Sequence, residues 1–462
     1  MVSGSITRRE ALKGLLLSTP LLGEPAPSPT ELGSHSASAT ACTHVTVIDG
    51  AVSEDQTVVF SGDRITVVGP SSLTSVPTGA RIIDGRGRFL IPGLWDCHAH
   101  LSYFKQSALP VLLANGVTSV RDMGGLLDEV YRWKTETNSG IRPGPRIFCA
   151  GPMLNGKVFN EYQVAVTDAA EARGAVRVLK NANVDFIKVH AAISREAYLG
   201  VQSECKEHGL RYVGHMPRAL TPEEASNAGQ LTLEHVGAFA DRFASQGVAD
   251  NDMAAKLASF RSQEAPAMFA VFARNRTWFT PTLVASKSAI HLADHQPDPR
   301  DKYVSASCRK VTEDLLKRPS YQAFSAPGSI ERQEREFAQL PPLVELMRSS
   351  GVPLLAGTDF AVSIIYPGFS LHDELELLVE SGLKPMEALQ TATSNPATVL
   401  GHDDLGAIKP GNLADMVLLD ANPLTDIRNT RRIRMVISRG EYFDRDGLDQ
   451  LLANAAMEAA RT

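Results

Sequence analysis

Eight short apolar segments, separated by amphipathic helical segments, constrain the fold of this chain more than any other feature. The apolar segments are rich in β-branched residues, and helical segments such as 169–182 lie between them. This alternation is typical of βαβ units and a parallel sheet. We place the eight strands at 90–98, 117–123, 146–151, 185–190, 211–215, 231–235, 277–283 and 353–359. The number of strands predicts an α/β fold with a closed (β/α)8 TIM barrel.

Strand-like segments also lie near both ends of the chain. Period-2 alternation interrupted by Gly and Asp begins at Val45, and a similar pattern returns at 414–420 and 434–443. We predict a small β-sandwich domain built from residues 43–90 and 402–445, with the barrel at 91–401. Residues 284–345 are too long for a simple loop, so we expect an inserted helical lid there.

Residues with metal-binding side chains collect at the predicted carboxyl ends of the strands. In chain order they are His98, His100, Lys188, His215, His235 and Asp359. Each of them alone has a structural explanation, such as a core imidazole or an aspartate at a helix N-cap. Catalytic groups in parallel barrels lie at this end of the strands, however, and six such residues on five strands predict a metal centre.

The spacing of His98 and His100 fits this interpretation. Residues i and i+2 of a strand face the same side, so two imidazoles can bind one ion. Nitrogen and oxygen ligands without a thiolate suit zinc, with manganese or cobalt as alternatives. Cys97 directly precedes His98, should point to the opposite face of the strand and should pack into the core. The five cysteines are scattered without a CxxC motif, so we expect neither a disulfide framework nor a cysteine zinc site.

The N-terminal segment resembles a twin-arginine export signal. Arg8 and Arg9 precede a short apolar stretch that ends at Leu22. This stretch of about ten residues is too short to span a membrane. We therefore interpret residues 1–39 as signal and linker, and expect an exported, periplasmic protein. The alternative is a disordered tail with a chance arginine pair on a cytoplasmic protein. No later segment predicts a membrane span, and a net charge of −6 without a basic stripe gives no signal for nucleic acid.

Several motifs, in their order and spacing, resemble the amidohydrolase superfamily and its imidazolonepropionase-like branch. These motifs are PGLWDCHAHL, FIKVH, VGHMP, LEHV and AGTDF, followed by the closing segment 391–424. The resemblance covers roughly residues 43 to 445. That branch includes Xaa-Pro dipeptidases, arginine or lysine carboxypeptidases and ochratoxin-cleaving amidases.

The resemblance implies a binuclear metal centre. His98 and His100 would bind the first, buried ion, and His215 and His235 would bind the second. Lys188, as a carbamate, would bridge the two ions. The alternative is a free Lys188 and a single-metal site.

A physical argument supports the bridging role of Lys188. A protonated lysine has no acceptor atom and cannot bind a cation. Burial beside two cations would lower its pKa, and the neutral amine could then take up CO2. Asp359, by the same resemblance, would bind the first ion and transfer the proton of the attacking water.

Three residues near the strand ends are candidates for binding a substrate carboxylate. Arg218 is preferred because its guanidinium suits bidentate binding. His190 and Tyr103 are the other two. The expected substrate is a small amide or peptide, such as a dipeptide, an N-acyl amino acid or an ochratoxin-like amide.

Other interpretations stay open. Trp278 and Phe279 would line an apolar pocket or belong to the core, and His372 would be a packing group. The same site would serve a cyclic amide hydrolase, or a lactonase or esterase. A barrel without metals that serves as a scaffold is the alternative that is not an enzyme. The resemblance also allows a homo-oligomer, although no sequence feature fixes the number of subunits.

Overall fold

The computed structural model describes residues 39–318, 321 and 326–462, and the chain folds as an α/β protein. Residues 1–38, which contain the predicted export signal, lie outside the described residues. No helix in the part of the chain that is described combines the length and apolar character needed to cross a membrane.

The strands are β1 (Thr40–Ile48), β2 (Val52–Ser61), β3 (Arg64–Pro70), β4 (Arg81–Asp84), β5 (Phe89–Pro92), β6 (Leu94–Ala99), β7 (Val117–Asp122), β8 (Arg146–Cys149), β9 (Met153–Asn155), β10 (Gln163–Ala165), β11 (Ile187–Val189), β12 (Tyr212–His215), β13 (Thr232–Glu234), β14 (Trp278–Thr280), β15 (Met416–Leu419), β16 (Ile433–Ser438) and β17 (Glu441–Asp444).

The α-helices are α1 (Leu101–Phe104), α2 (Ala108–Ala114), α3 (Leu127–Asn138), α4 (Ala169–Asn181), α5 (Arg195–His208), α6 (Pro222–Asn227), α7 (Ala238–Ser245), α8 (Met253–Gln263), α9 (Ala265–Asn275), α10 (Leu283–Ala289), α11 (Ala306–Leu316), α12 (Ser329–Phe337), α13 (Leu340–Ser349), α14 (Phe369–Glu380), α15 (Pro385–Thr391), α16 (Ser394–Leu400) and α17 (Arg445–Ala459). Short 3-10 helices cover Lys105–Ser107, Asp250–Asp252, Pro299–Tyr303 and Ile427–Arg431.

Strands from both ends of the chain join in one eight-stranded sheet. Its order is β17-β16-β15-β5-β1-β2-β3, with β4 paired to β1. The two ends meet where β5 and β15 run antiparallel, with Leu90 opposite Leu418. Both leucines belong to an apolar cluster of this sheet, separate from the main core. The domain boundaries at 43–90 with 402–445 and at 91–401 stay a prediction.

Parallel strands form the rest of the framework. One sheet contains β6-β7-β8, and a second contains β10-β9-β11-β12-β13-β14. Backbone hydrogen bonds continue between these sheets, since Asp185 N donates to Cys149 O at 2.9 Å. On the opposite side, Leu355 N donates to Phe279 O at 2.9 Å and Cys97 N donates to Ala356 O at 2.9 Å. Residues 353–356 therefore connect β14 to β6.

The single strand predicted at 90–98 is wrong, because the chain changes sheets at Gly93. Strand β5 ends at Pro92 and pairs with β15, whereas β6 begins at Leu94 and pairs with β7. Gly93 N donates to Asp415 O at 2.8 Å. A Cβ atom at this position would lie 2.1 Å from Thr118 Oγ1, so only glycine fits the crossing.

The eighth predicted strand, 353–359, is not a regular strand. Only two isolated bridges form here, Leu354 with Phe279 and Phe360 with Ala99. The backbone of Asp359 is left-handed, with φ of 58°, which interrupts an extended ladder. Within the predicted lid at 284–345, the described residues form helices α11 and α12, and α10 and α13 overlap its two ends.

Candidate metal centre

Four histidine rings line one end of the parallel strands and contact one another. His98, at the end of β6, has its ring centroid 5.3 Å from that of His100 and 4.5 Å from that of His235. The His235 ring in turn lies 4.6 Å from His215, the last residue of β12. The fold thus brings together four histidines that the sequence spreads over three predicted strand ends.

A buried carboxylate orients His98. Its Nδ1 lies 3.0 Å from Glu234 Oε2, and the side chains of both residues are fully buried. Its Nε2 makes no hydrogen bond to any of the described residues and lies 3.5 Å from Asp359 Oδ1. Burial, aided by the charge of Lys188, holds the pKa of the His98 imidazole well below its usual range. The ring is therefore neutral, and Nε2 carries a lone pair for a cation.

His100 and Asp359 complete a set of three donors. His100 Nδ1 lies 2.9 Å from Gly124 O, which leaves Nε2 directed at Asp359 Oδ1, 3.2 Å away. One ligand atom from each of His98, His100 and Asp359 lies within 4.8 Å of the others. Burial alone would raise the pKa of the Asp359 carboxyl, but the facing imidazoles lower it well below its usual range. An ionised carboxylate and two imidazole nitrogens are a donor set that suits a divalent cation.

His215 and His235 form the neighbouring half of the cluster. His235 Nδ1 lies 2.9 Å from Thr282 Oγ1, so its Nε2 is the nitrogen left for a ligand. His215 Nδ1 is buried without a hydrogen-bond partner among the described residues. Burial, with the adjacent His190 and Lys188, holds the pKa of His215 well below its usual range. Both rings are neutral and available as ligands.

Lys188, in β11, is fully buried, and its Nζ has no hydrogen-bond partner in the described part of the chain. Burial lowers its pKa to about 8. The side chain runs against Gly214, where a Cβ atom would lie 2.8 Å from Lys188 Cδ. An unpaired buried amine is costly unless it is neutral or bound, which points to chemistry at Nζ.

These observations test whether the residues suit metal ions. Three buried atoms of the predicted ligands have no hydrogen-bond partner in the described part of the chain: His98 Nε2, His215 Nδ1 and Lys188 Nζ. Buried polar atoms in folded proteins nearly always have partners. Unpaired ligand atoms beside an ionised carboxylate therefore fit divalent cations, and no cysteine lies among the residues in this cluster.

Sequence analysis missed the polar network beneath His98. Glu234 Oε1 accepts from Arg121 Nη2 at 2.8 Å and also contacts the hydroxyl of Thr232. Arg121 Nη2 lies 3.2 Å from Thr280 Oγ1, and its Nε donates to the Cys97 carbonyl. The attraction of Arg121 outweighs burial and lowers the pKa of Glu234. The available signal was a charged residue within each of two apolar strands.

A second supporting carboxylate, Asp96, precedes His98 by two residues. Its Oδ1 accepts from His98 N at 3.1 Å and from Thr358 N at 3.0 Å. Its Oδ2 accepts from Thr358 Oγ1 at 2.6 Å. Burial raises the pKa of Asp96 to about 6. Asp96 thereby connects the backbone at His98 to the residue before Asp359.

The three predicted substrate-binding residues occupy different surroundings. His190 is buried, with its ring 4.1 Å from His215 and its Nδ1 unpaired among the described residues. Tyr103 is buried, and its hydroxyl accepts from Asn160 Nδ2 at 2.8 Å. Arg218 is exposed, and its backbone N donates to Ala191 O. Their roles toward a substrate stay predictions.

Other side chains near these strands belong to the core. Phe279 is fully buried, and its ring stacks at 6.2 Å on Phe239. Trp278 packs against the apolar cluster that contains Cys97 and Trp95. Burial raises the pKa of the Cys97 thiol far above its usual range, so it is an inert packing group. Trp278 and Phe279 therefore belong to the core and do not line an apolar pocket.

Comparison with known proteins agrees with this geometry. The amidohydrolase family model matches residues 89–442. The chain is 25% identical over 402 residues to an ochratoxinase of Aspergillus niger, covering 78% of this chain and 76% of that protein. It is 25% identical over 393 residues to an imidazolonepropionase of Rubrobacter xylanophilus, covering 79% of this chain and 84% of that one. The structure of a putative prolidase from Bifidobacterium longum superimposes with a TM-score of 0.69 at 26% identity, covering 91% of this chain and 99% of that chain.

Proposed function

We propose, from the premise that this chain belongs to the amidohydrolase family, that it hydrolyses a small amide or peptide carrying a carboxylate and uses two divalent metal ions to do so. The family and its named hydrolase relatives make the chain a hydrolase of carbon–nitrogen bonds. The number of ions, their identity as zinc and the substrate are our proposals. The observation that carries them is the set of unpaired ligand atoms around Asp359.

We assign the ligands by their positions in the cluster. His98, His100 and Asp359, whose donor atoms converge, would hold one ion. His215 and His235, in the neighbouring half of the cluster, would hold the other. Bound divalent ions supply Lewis acidity, which lowers the pKa of a water molecule and polarises an amide carbonyl.

Lys188 would connect the two halves as a carbamate. Its burial favours the neutral amine, whose lone pair forms a bond to the carbon of CO2 while the amine gives up a proton to solvent. The product is a carboxylate at the end of a lysine side chain. Its negative charge would offset the positive charge that two cations bring into a buried site.

Asp359 would carry the proton in the reaction. Its side chain is 27% exposed, in contrast to the fully buried His98, so it reaches the open side of the cluster. Its lowered pKa keeps it ionised at neutral pH and able to accept a proton from water. The oxygen of that water bonds to the amide carbon, the C–N bond breaks, and Asp359 returns the proton to the leaving nitrogen. The products are a carboxylic acid and an amine.

The remaining proposals concern the fold and the location of the protein. The backbone bonds from β8 to β11 and from β14 through 353–356 to β6 support a closed eight-membered barrel. We also retain export by the twin-arginine-like segment at the N-terminus as a proposal. Cyclic amides, lactones and other esters are attacked by the same chemistry, so they belong in the test.

Metal content and substrate cleavage test this function together. Purified protein should contain about two zinc, manganese or cobalt ions per chain by elemental analysis. Lys188→Ala should lower that number and abolish amide cleavage, whereas Lys180→Ala, at an exposed position of α4, should change neither. A panel of Xaa-Pro dipeptides, N-acyl amino acids, ochratoxin-like amides, cyclic amides and lactones identifies the substrate class. A content of one ion per chain that does not change in Lys188→Ala would overturn the carbamate bridge. A protein that binds no ion after reconstitution with metal would favour the alternative of a scaffold without enzymatic activity.

A further inference from the structure

The loop between β9 and β10 exposes apolar side chains beside the histidine cluster. Val158 is 45% exposed and Phe159 is 43% exposed. Phe159 is the only phenylalanine among the large hydrophobic residues exposed in the described part of the chain. Val158 and Phe159 are adjacent in sequence, so together they form a small apolar surface that an apolar ligand group can cover.

The loop is held in place by buried polar groups. The fully buried Asn155 donates from Nδ2 to Lys157 O at 2.8 Å and to Gln163 Oε1 at 3.1 Å. Gln163 Oε1 also accepts from Phe159 N at 3.2 Å. Asn160 Nδ2 donates to Tyr103 Oη at 2.8 Å. The exposure of Phe159 is therefore preset by the fold and is not a feature of a loosely attached loop.

The position of the loop relates it to both halves of the cluster. The Phe159 ring centroid lies 6.5 Å from that of His190, which lies 4.1 Å from His215. At the other end, Asn160 contacts Tyr103, whose ring meets His100 edge-on at 5.6 Å. The loop therefore borders both halves of the histidine cluster.

Cations border the apolar surface of the loop. Lys157 Nζ lies 5.6 Å from the centre of the Phe159 ring. Arg318 Nη2 donates to Phe159 O at 3.4 Å. The exposed Arg218 lies close to His190 in the fold, since its backbone N donates to Ala191 O at 2.9 Å. One acid, the exposed Glu161, also lies in the loop. An apolar surface bordered mainly by cations matches a group that combines an apolar side chain with a carboxylate.

We propose that Phe159 and Val158 form the specificity subsite of this enzyme, and that they receive the apolar side chain of a carboxylate-bearing amino acid on the amine side of the scissile amide. This inference rests on the proposed amide hydrolysis. The subsite selects substrates with a large apolar residue on the amine side of the amide over those with a small one. Lys157, Arg318 and Arg218, the cations that border this surface, bind the carboxylate of the same amino acid.

The test compares two substrates that differ only in this side chain, N-acetyl-L-phenylalanine and N-acetyl-L-alanine, with the metal-loaded full chain. Wild type should prefer the phenylalanine substrate. Phe159→Ala should lower kcat/KM for it roughly tenfold more than for the alanine substrate, and Phe159→Leu should retain much of the preference. Leu199→Ala, an equally exposed apolar position on α5 (44% exposed), is the matched control. Metal content and melting temperature should stay unchanged in every variant.

The outcomes separate the two proposals. If wild type cleaves both substrates and Phe159→Ala leaves their kcat/KM ratio unchanged, the subsite is wrong and the amidohydrolase proposal stands. If the metal-loaded wild type cleaves neither substrate nor any other amide, the proposed function fails and the subsite fails with it. A selective loss in Phe159→Ala that the Leu199→Ala control does not show supports the subsite.

Discussion

Glu234 holds His98 from a position 136 residues further along the chain, with Oε2 at 3.0 Å from the imidazole Nδ1. The other oxygen, Oε1, lies 2.8 Å from Arg121 Nη2. This arrangement fixes the orientation of the ring and directs Nε2 toward Asp359. A carboxylate behind a histidine ligand also raises the basicity of the ligating nitrogen.

Glu234→Gln should therefore weaken metal binding. The neutral amide is a poorer acceptor for the imidazole and leaves Arg121 without a buried counter-charge. We expect metal affinity to fall by about 10- to 100-fold, measured by elemental analysis after competition with graded chelator. Glu204→Gln is the matched control, because Glu204 is also buried (2% exposed) but pairs with Arg177 of α4 and His208 of its own helix α5. Equal affinities in both variants would contradict the role of Glu234.

Thr282→Val should affect the other half of the cluster. Valine preserves the shape of threonine but removes the hydroxyl that lies 2.9 Å from His235 Nδ1. The turn itself is held by Glu374, which accepts from Leu283 N and Val284 N, so the backbone should persist. We expect the second ion to bind about tenfold more weakly, with Thr282→Ser close to wild type.

The control for this prediction is Thr137→Val, since Thr137 is buried and its hydroxyl donates only to a carbonyl of its own helix. Metal titration of the apoprotein distinguishes the two sites by their successive affinities. Wild-type affinity for both ions in Thr282→Val would show that the hydroxyl does not position His235.

His372 should make the stability of the fold depend on pH. Its ring is buried between Thr430 Oγ1 at 2.9 Å and Asn115 O at 3.1 Å, and burial lowers its pKa from 6.5 to about 4. The unfolded chain takes up a proton below pH 6.5, whereas the folded chain does so only near pH 4. The free energy of unfolding should thus decrease as pH falls through this interval, by about 3 kcal/mol.

Urea unfolding of wild type and His372→Gln at several pH values isolates this contribution. The difference between the two proteins should shrink toward pH 4, because the variant lacks the titrating group. His291→Gln, which removes an exposed imidazole (57% exposed), should follow the wild-type pH dependence. A constant difference between wild type and His372→Gln would contradict the prediction.

Local sequence patterns predicted most strands of this fold, but not the point at which one strand ends and the next begins. Six of the eight expected strands form near their predicted places and a seventh is divided in two, because alternating apolar segments bounded by Gly, Pro and Asp report on local burial. The crossing at Gly93 escaped the pattern, since the residues on both sides of it are apolar and buried. Only the contact of Gly93 with Thr118 and the pairing of β5 with β15 show that the apolar segment 89–99 belongs to two sheets.

The residues that could bind metal were identifiable from the sequence, because ligand chemistry belongs to the side chain and the ends of parallel strands meet at one edge. The predicted His98, His100 and Asp359 do converge, within 4.8 Å. The tertiary structure alone decided which neighbours support them. The Glu234–Arg121 pair, the hydroxyl of Thr282 and the exposed Phe159 depend on contacts between distant segments, and each of these residues taken alone has an ordinary role as a strand or loop residue. Proximity of distant side chains, together with the exclusion of water around them, is a property of packing that no local pattern contains.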